Sequence, residues 1–211
     1  MRLCCLNNRA ASHKPQQLVV AEDSHQTIVL AACELIAEQG FGAMSMRALA
    51  HRAGFQPGSL YHHFSCKQEV LEEVAEHLLG ERIHEWWSCR PNSKKPLDML
   101  NAFVTFHIDR LHNQRAEEQL LCTELRYLNS GRRERVQEHY SIYVRELDII
   151  IESGIERGAF SLSHGAGTSH AILAMLDGLV CTRAYSFDAD ARSIKKIQGM
   201  VARIVGCPFP D

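Results

Sequence analysis

The sequence predicts an all-α protein: an N-terminal three-helix head and a C-terminal helical bundle. Three observations lead there. Apolar residues recur at three- and four-residue spacing along most of the 211-residue chain, and strand-like alternation is scarce. Residues 44–67 spell two short helices around a tight turn. A loop with two prolines, Cys89-Arg90-Pro91-Asn92-Ser93-Lys94-Lys95-Pro96, breaks the pattern once and is the best internal boundary. The expected organisation is a mobile arm at 1–23, a head at 24–70 and a body at 71–211.

The arm carries Asn7-Asn8-Arg9, Lys14-Pro15 and Gln16-Gln17, a composition that does not bury a core. It reads either as a leader or as an arm that touches phosphate through Arg9 or Lys14. A first helix follows over about Ser24 to Gln39, with Ile28, Ala31, Ala32, Leu35 and Ile36 on one face; Gly40 stops it and Phe41 plugs the head's small core. Ser45 is a good N-cap for the next helix, and Met44 with Leu49 can staple its entry. Gly54 supplies the turn, and Pro57 suits the first turn of a short helix ending near Phe64. Another helix starts near Ser65 or Cys66, where Ser65 and Gln68 have capping-box spacing. Its stripe of Val70, Leu71, Val74, Leu78 and Leu79 runs on past Trp86-Trp87. At some 20 residues it would span about 30 Å, enough to carry motion between domains. Further helical patterns cover about 96–112, 114–129, 132–157, 164–186 and 188–205, with no repeat and no low-complexity tract. Together they make a bundle of some five helices.

Helix, tight turn, short helix at 44–67 is the helix-turn-helix plan, whose second helix enters the DNA major groove. Bulk charge lends it little help. The net charge is −2, and residues 1–70 set Arg2, Arg9, Lys14, Arg47, Arg52 and Lys67 against Glu22, Asp23, Glu34, Glu38 and Glu69. DNA contact must then rest on local placement of cations, hydroxyls and helix ends.

The head resembles the TetR family of bacterial transcriptional regulators. The residues that carry the resemblance are Ala31-Ala32, Leu35-Ile36 and Gly40-Phe41, then Leu49-Ala50 and Ala53-Gly54, then Leu60-Tyr61-His62-His63-Phe64 and Lys67. They cover about residues 25–75. The resemblance implies a homodimer that reads a palindromic double-stranded operator, most often as a repressor released by a small molecule. It also implies that Tyr61 and His63 grip phosphate and that His62 faces the groove. From the residues themselves, Gly58 removes bulk near the backbone and Ser59 can bond a phosphate or a base. Arg47 suits either contact, Lys67 opens a helix whose N-terminal amides attract phosphate, and Leu60 points inward. The candidate DNA-contacting set is Ser45, Arg47, Gln56, Pro57, Gly58, Ser59, Tyr61, His62, His63 and Lys67. Gln56 and Cys66 stand where the family usually has Ser or Thr.

In the body, Glu124-Leu125-Arg126-Tyr127-Leu128, Tyr140, Tyr143, Glu146-Leu147 and Gly154-Ile155-Glu156-Arg157-Gly158-Ala159-Phe160 resemble the subgroup that controls lipid and steroid degradation. That subgroup binds acyl-CoA thioesters, which makes an acyl-CoA the implied effector. Candidate ligand contacts are His107, Glu124, Tyr127, Tyr143 and Arg183. Ala171 to Gly178 resembles the family's dimerisation helix. The candidate dimer interface is Ile172, Met175, Leu176, Leu179, Ile197 and Met200, with core inside one chain as the competing reading for half of them.

Other chemistries find little footing. No histidine stands beside Ser, Cys or a carboxylate at a catalytic spacing, so an enzyme is not expected. His62 and His63 are adjacent on a helix and do not converge on one ion, and the eight cysteines are scattered without zinc-site spacing, so no metal or other cofactor is expected. Free thiols suit a reducing cytoplasm. No stretch approaches the roughly 18 apolar residues that span a membrane, and the N-terminus lacks a signal peptide's apolar core. An activator, a regulator answering multidrug-type aromatic ligands, and a thiol-redox sensor using Cys66 are the alternatives on the same fold.

Overall fold

The computed structural model describes residues 16–162, 165, 167–181 and 190–207, with side chains described from Ser24 and not at 179–181. Every regular element among them is helical. The order is α1 (Gln16–Ala43), α2 (Met46–Ala53), α3 (Pro57–His63), α4 (Lys67–Cys89), α5 (Pro96–Asn113), α6 (Arg115–Thr123), a 3-10 turn (Leu125–Tyr127), α7 (Ser130–Glu156), α8 (Thr168–Cys181) and α9 (Ala191–Ile204).

Most expected boundaries are found within a few residues, and three depart. α1 begins at Gln16 rather than Ser24, so the last third of the expected arm, residues 16–23, is helical; residues 1–15 lie outside the described residues. Gly40 interrupts α1 with φ 79° and ψ 155°, but one more turn follows, closed by the Met44 amide on the Gly40 carbonyl. Only glycine takes that φ without strain. The helix expected over 114–129 ends at Thr123 and tightens into the 3-10 turn. That turn drops Leu128 into the head's core, where it is 3% exposed. The expected capping pair at the start of α4 is also replaced. The Glu69 carboxylate, not Gln68, accepts from the Ser65 amide (2.6 Å) and hydroxyl (2.5 Å). Gln68 instead accepts from the Asn129 amide at 3.3 Å.

Two apolar cores are stacked along α4. The first gathers Ile28, Ala32, Leu35 and Phe41 of α1, Leu49, Leu60 and Phe64 of the helix-turn-helix, and Val70 to Leu79 of α4. Leu120, Leu128 and Val136 of the body complete it. The second begins at Ile83 and Trp86, further along the same helix, and joins α5, α7, α8 and α9. α4 has 23 residues and so runs about 35 Å at 1.5 Å per residue, through both cores.

Buried charge fastens the junction. Glu72 of α4, 5% exposed, accepts from both Arg132 and Arg135 of α7. Burial pushes its carboxyl up, but the bonds from Arg135 and Arg132 outweigh this and hold it below the ordinary value of 4.5. Its stabilisation is therefore complete above that value and is lost as pH falls through the lower folded one. Glu72→Gln is expected to destabilise the chain by roughly 2 kcal/mol near neutral pH. The gap in urea midpoint between variant and parent is expected to narrow below pH 4.5; a constant gap would remove the charge from the explanation.

The far end of α7 closes without room to spare. The Gly154 carbonyl accepts from the Ala159 and Phe160 amides at 2.8 and 3.1 Å, which folds the Phe160 ring back over Gly154. A Cβ at Gly154 would lie 1.9 Å from that ring, itself 3% exposed. Gly154→Ala is expected to cost about 1–3 kcal/mol in urea unfolding. Restoration by Phe160→Leu in the same chain would attribute the loss to this contact; no restoration would place it elsewhere.

Candidate DNA interface and ligand cavity

The helix-turn-helix is built as its residues dictate. The Ser45 hydroxyl accepts from the Ala48 amide at 3.1 Å and caps α2. Gly54 adopts φ 77° and ends it, with the Phe55 amide returning to the Ala50 carbonyl at 2.8 Å. Pro57 opens α3, while Gln56 at its N-cap makes no side-chain capping bond. Leu60 and Phe64 are fully buried, and Phe64 stacks on His25 of α1 at 4.8 Å. Those anchors turn the rest of α3 outward. Ser45, Arg47, Gln56, Pro57, Gly58, Ser59, Tyr61 and His62 are all exposed, Tyr61 at 57%.

Two of the candidate contacts are partly engaged inside the protein. His63 is half-buried edge-on to Phe55, with ring centroids 6.1 Å apart. Lys67 reaches back to the Gly42 carbonyl at 3.1 Å and lies 4.3 Å from the Phe41 ring centroid. Burial holds its ammonium below the usual lysine range. Arg52 is also committed, to Glu38 at 2.6 Å and Glu34 at 3.3 Å across the back of the head. Of the three cations in residues 44–67, Arg47 is thus the exposed one whose charge is not drawn into the head.

The body encloses a cavity of about 310 Å³ between α4, α6, the 3-10 turn, α7 and α8. Leu79, Leu121, Leu125 and Val136 give it apolar walls. Arg133 and Gln137, both exposed, stand at its edge, and Arg82, Tyr140 and Asp177 lie within, with Cys122 beside them. None of the four sequence candidates among the described residues, His107, Glu124, Tyr127 and Tyr143, lines it. His107 and Tyr143 are buried behind it, 3.1 Å apart; the other ring nitrogen of His107 lies 3.1 Å from Asp177 Oδ1. Burial in this position pushes the Tyr143 hydroxyl well above its ordinary value. Arg183 lies outside the described residues.

Glu124 and Tyr127 prove to be junction residues. The Glu124 carboxylate accepts from the Phe41 amide at 3.0 Å, across 83 residues of sequence. The Tyr127 ring packs on Phe41 with centroids 5.3 Å apart. Phe41 is in turn the ring under Lys67, so body, α1 and the start of α4 meet at one point. The cavity-lining residues Leu121, Cys122 and Leu125 sit on the same short segment as Glu124.

The residues sequence reasoning passed over left a signal. Arg82 is a lone cation inside the apolar stripe of α4, between Leu79 and Ile83, and Asp177 follows Leu173-Ala174-Met175-Leu176 in α8. A charge inside an apolar run is either a mistake of register or a cavity residue. Of the dimer candidates, Ile172, Leu176 and Ile197 are buried in the chain's own core and are not free to pack on another copy. Met175 is half-buried and Met200 is 52% exposed; the side chain of Leu179 lies outside the described residues. No cluster of three or more His, Cys, Asp or Glu among the described residues could hold a metal ion, and no helix among them is long and apolar enough to cross a membrane.

Comparison with known proteins agrees with this anatomy. The family model for bacterial regulatory proteins of the tetR family matches residues 28–74, and the model for the tetracyclin repressor-like C-terminal domain matches 93–180. The HTH-type transcriptional repressor KstR2 of Rhodococcus jostii (strain RHA1) is 26% identical over 130 residues, 61% of this chain. The match spans 64% of that repressor's length. The fatty acid metabolism regulator protein of Bacillus subtilis (strain 168) is 29% identical over 140 residues, 64% of this chain and 69% of that one. Among solved structures, the transcriptional regulator FadR of Bacillus subtilis in complex with stearoyl-CoA superposes with a TM-score of 0.74 at 21% identity, covering 88% of this chain and 100% of that one. With one family model on the helix-turn-helix head and the other on the bundle that holds the cavity, the chain belongs to the TetR family of bacterial regulatory proteins.

Proposed function

We propose that this chain is a cytoplasmic, homodimeric repressor that holds a palindromic double-stranded DNA operator and releases it when an acyl-CoA thioester enters the body. The observation that carries the reading is the shared segment Leu121–Tyr127: one side of it walls the cavity and the other holds the head through Glu124 and Tyr127. The name of KstR2 as a transcriptional repressor and the stearoyl-CoA in the FadR complex supply the direction of control and the ligand class. Nothing in the reading asks for catalysis. In a dimer, the exposed Met200 and Ile204 of α9 and half-buried Met175 of α8 would face the second copy.

On DNA, α3 would lie in the major groove with Ser59 and His62 toward the bases and Tyr61 and Ser45 toward phosphate. Arg47 would supply the charged contact. Lys67 and His63 would hold the head's shape as much as touch DNA. Release follows if the ligand needs more room than the apo cavity gives. Acyl bulk pushing Leu121 and Leu125 would pull Glu124 from the Phe41 amide and tilt the head. This works only because the ligand then binds the tilted state better than the DNA-bound one.

Fluorescence anisotropy on the chain's own upstream DNA, with and without a long-chain acyl-CoA, tests the reading: affinity should fall at least about tenfold on adding thioester. Tyr61→Ala is expected to weaken operator and scrambled duplex by a similar factor, and Arg47→Ala to cost about 1–3 kcal/mol at one base-pair position. Equal losses for Arg47→Ala across all sequences would make it a phosphate contact. Glu124→Ala is expected to keep ligand binding while shrinking the ligand's effect on operator affinity at least about tenfold, since roughly 1.5–3 kcal/mol of coupling goes with the bond. An unchanged effect would sink the junction as the route of release.

A further inference from the structure

Arg82 is an odd choice of wall for an apolar cavity. It is 3% exposed, on a helix whose other buried residues, Glu72 apart, are all apolar. Its Nη2 donates to Glu118, which is 1% exposed and also accepts from Arg110 Nε at 3.0 Å; Arg110 in turn holds Glu85. Its guanidinium carbon lies 5.3 Å from the Tyr143 ring centroid. Yet Arg82 Nε is buried and has no hydrogen-bond partner among the described residues. A buried guanidinium N–H left unpaired is costly; water does not reach it, and a ligand of pure hydrocarbon settling against the Arg82 wall would leave it without a partner.

The neighbouring charges narrow what the partner is. Arg82 and Arg110 face Glu118 and Glu85, so the guanidinium's charge is already answered by carboxylates. The cavity's other charged wall residue on this inner side is Asp177, acidic, with one oxygen on His107. A carboxylate on the inner side of the cavity would meet Asp177, and the one cation of the lining not answered by a carboxylate, Arg133, stands out at the edge. A neutral oxygen escapes that repulsion: it accepts from Arg82, and a hydroxyl can also donate to Asp177. At about 310 Å³, the cavity is at the small end for ligand sites, room for an acyl group and not for a whole thioester with its nucleotide.

We infer that the ligand's buried acyl group carries a neutral oxygen, a ketone or a hydroxyl, which seats against Arg82 and Asp177. This rests on the acyl thioester reading and sharpens it: the protein answers to a partly oxidised acyl group, the kind that a hydration or a hydroxyl oxidation supplies, rather than to a saturated chain. Apolar walls bind both, and the pair of polar residues tells them apart. Discrimination of this kind is strong because a site made for an oxygen is left unsatisfied by the analogue without one.

The test uses the full chain and medium-chain acyl-CoAs of one length: unsubstituted, keto- or hydroxy-substituted toward the far end, and terminally carboxylated. Isothermal titration is expected to rank the keto or hydroxy thioester at least about tenfold tighter than both others. Arg82→Lys, a point charge without the planar fork, is expected to bring the keto-to-unsubstituted ratio to within about twofold, provided its circular dichroism matches the parent. Asp177→Asn is expected to improve the carboxylated ligand alone. An unsubstituted chain that binds as tightly as the keto chain overturns the inference, and so does a carboxylated chain that binds tightest. The wild-type panel decides this even if Arg82→Lys does not fold. The corresponding free acids run alongside: if they bind as well as the thioesters, the acyl-CoA reading fails while the keto-over-plain ratio still judges Arg82. Silence from every ligand overturns both.

Discussion

Helix α4 cannot move without disturbing two cores. Its first half supplies Val70 to Leu79 to the head, and Ile83 and Trp86 of its second half anchor the body. A cavity between the domains would be an expensive way to let them slide, since each buried aliphatic side chain withdrawn forfeits about 1.5–3 kcal/mol. The head is therefore not hinged freely on the body. It can tilt only in ways that keep Val70, Leu71 and Val74 packed, which favours a small rotation about α4 over a separation. Every other feature of the junction stands in relation to that constraint. Glu72 ties α4 to α7 at Arg132 and Arg135, and Glu146 receives Trp86 Nε1 and Arg90 near the helix's other end, each at 2.9 Å. These bonds make α4 and α7 one unit. Past the buried Glu118 and Leu120 of α6, the stretch Leu121 to Tyr127, none of it buried, is left as the segment with freedom to respond.

Charge is distributed to suit. The head spends most of its few cations on itself: Arg52 on Glu38 and Glu34, Lys67 on the Gly42 carbonyl and the Phe41 ring. Such a head has little non-specific attraction for a polyanion, because that attraction scales with the number of phosphates neutralised. Its selectivity must come from the exposed tips of α3 and from having two copies. The body hides its charge instead. Arg82, Glu118 and Arg110 form a buried chain that apolar residues of like volume would match or better in stability. Stability is a poor reason for keeping it. A wall that discriminates between ligands is a better one.

How far the sequence spoke depended on whether a residue's partner was near in the chain. Ser45, Gly54, Pro57 and Leu60 have local partners, and all four behave as their types dictate. The long helices were legible from periodicity. The junction was not, because Glu124 meets Phe41 across 83 residues and no pattern announces such a pair. The same holds for Glu72 with Arg132, so the junction roles of Glu124 and Tyr127 could not be read from their place in the chain. His107 and Tyr143 lie one layer behind the cavity wall, where His107 holds Asp177 and Tyr143 holds His107. For Ile172, Leu176 and Ile197, an apolar stripe cannot by itself say whether it meets its own chain or a second one. Burial against α5 and α7 decides it.

The size of the junction bond fits what a switch requires. Turning a population from almost wholly DNA-competent to almost wholly released takes about 5.5 kcal/mol of differential binding. A carboxylate accepting from a backbone amide is worth roughly 1.5–3 kcal/mol, and a twofold assembly has two of them. The sum is of the needed order without calling on either core. A much stronger latch would hold the head against any ligand, and a much weaker one would let it drift without one. Glu124 occupies the middle of that range because it is half-exposed: its other oxygen is shared with the Thr123 hydroxyl at 3.0 Å, and water competes for the rest. Burying it would stiffen the head. Removing it would leave the Phe41 ring, wedged between Tyr127 and Lys67, as the tie left at that point. A ring contact is soft in angle, so it keeps the head attached while giving up its orientation, and orientation is what two heads on one face of a duplex depend on.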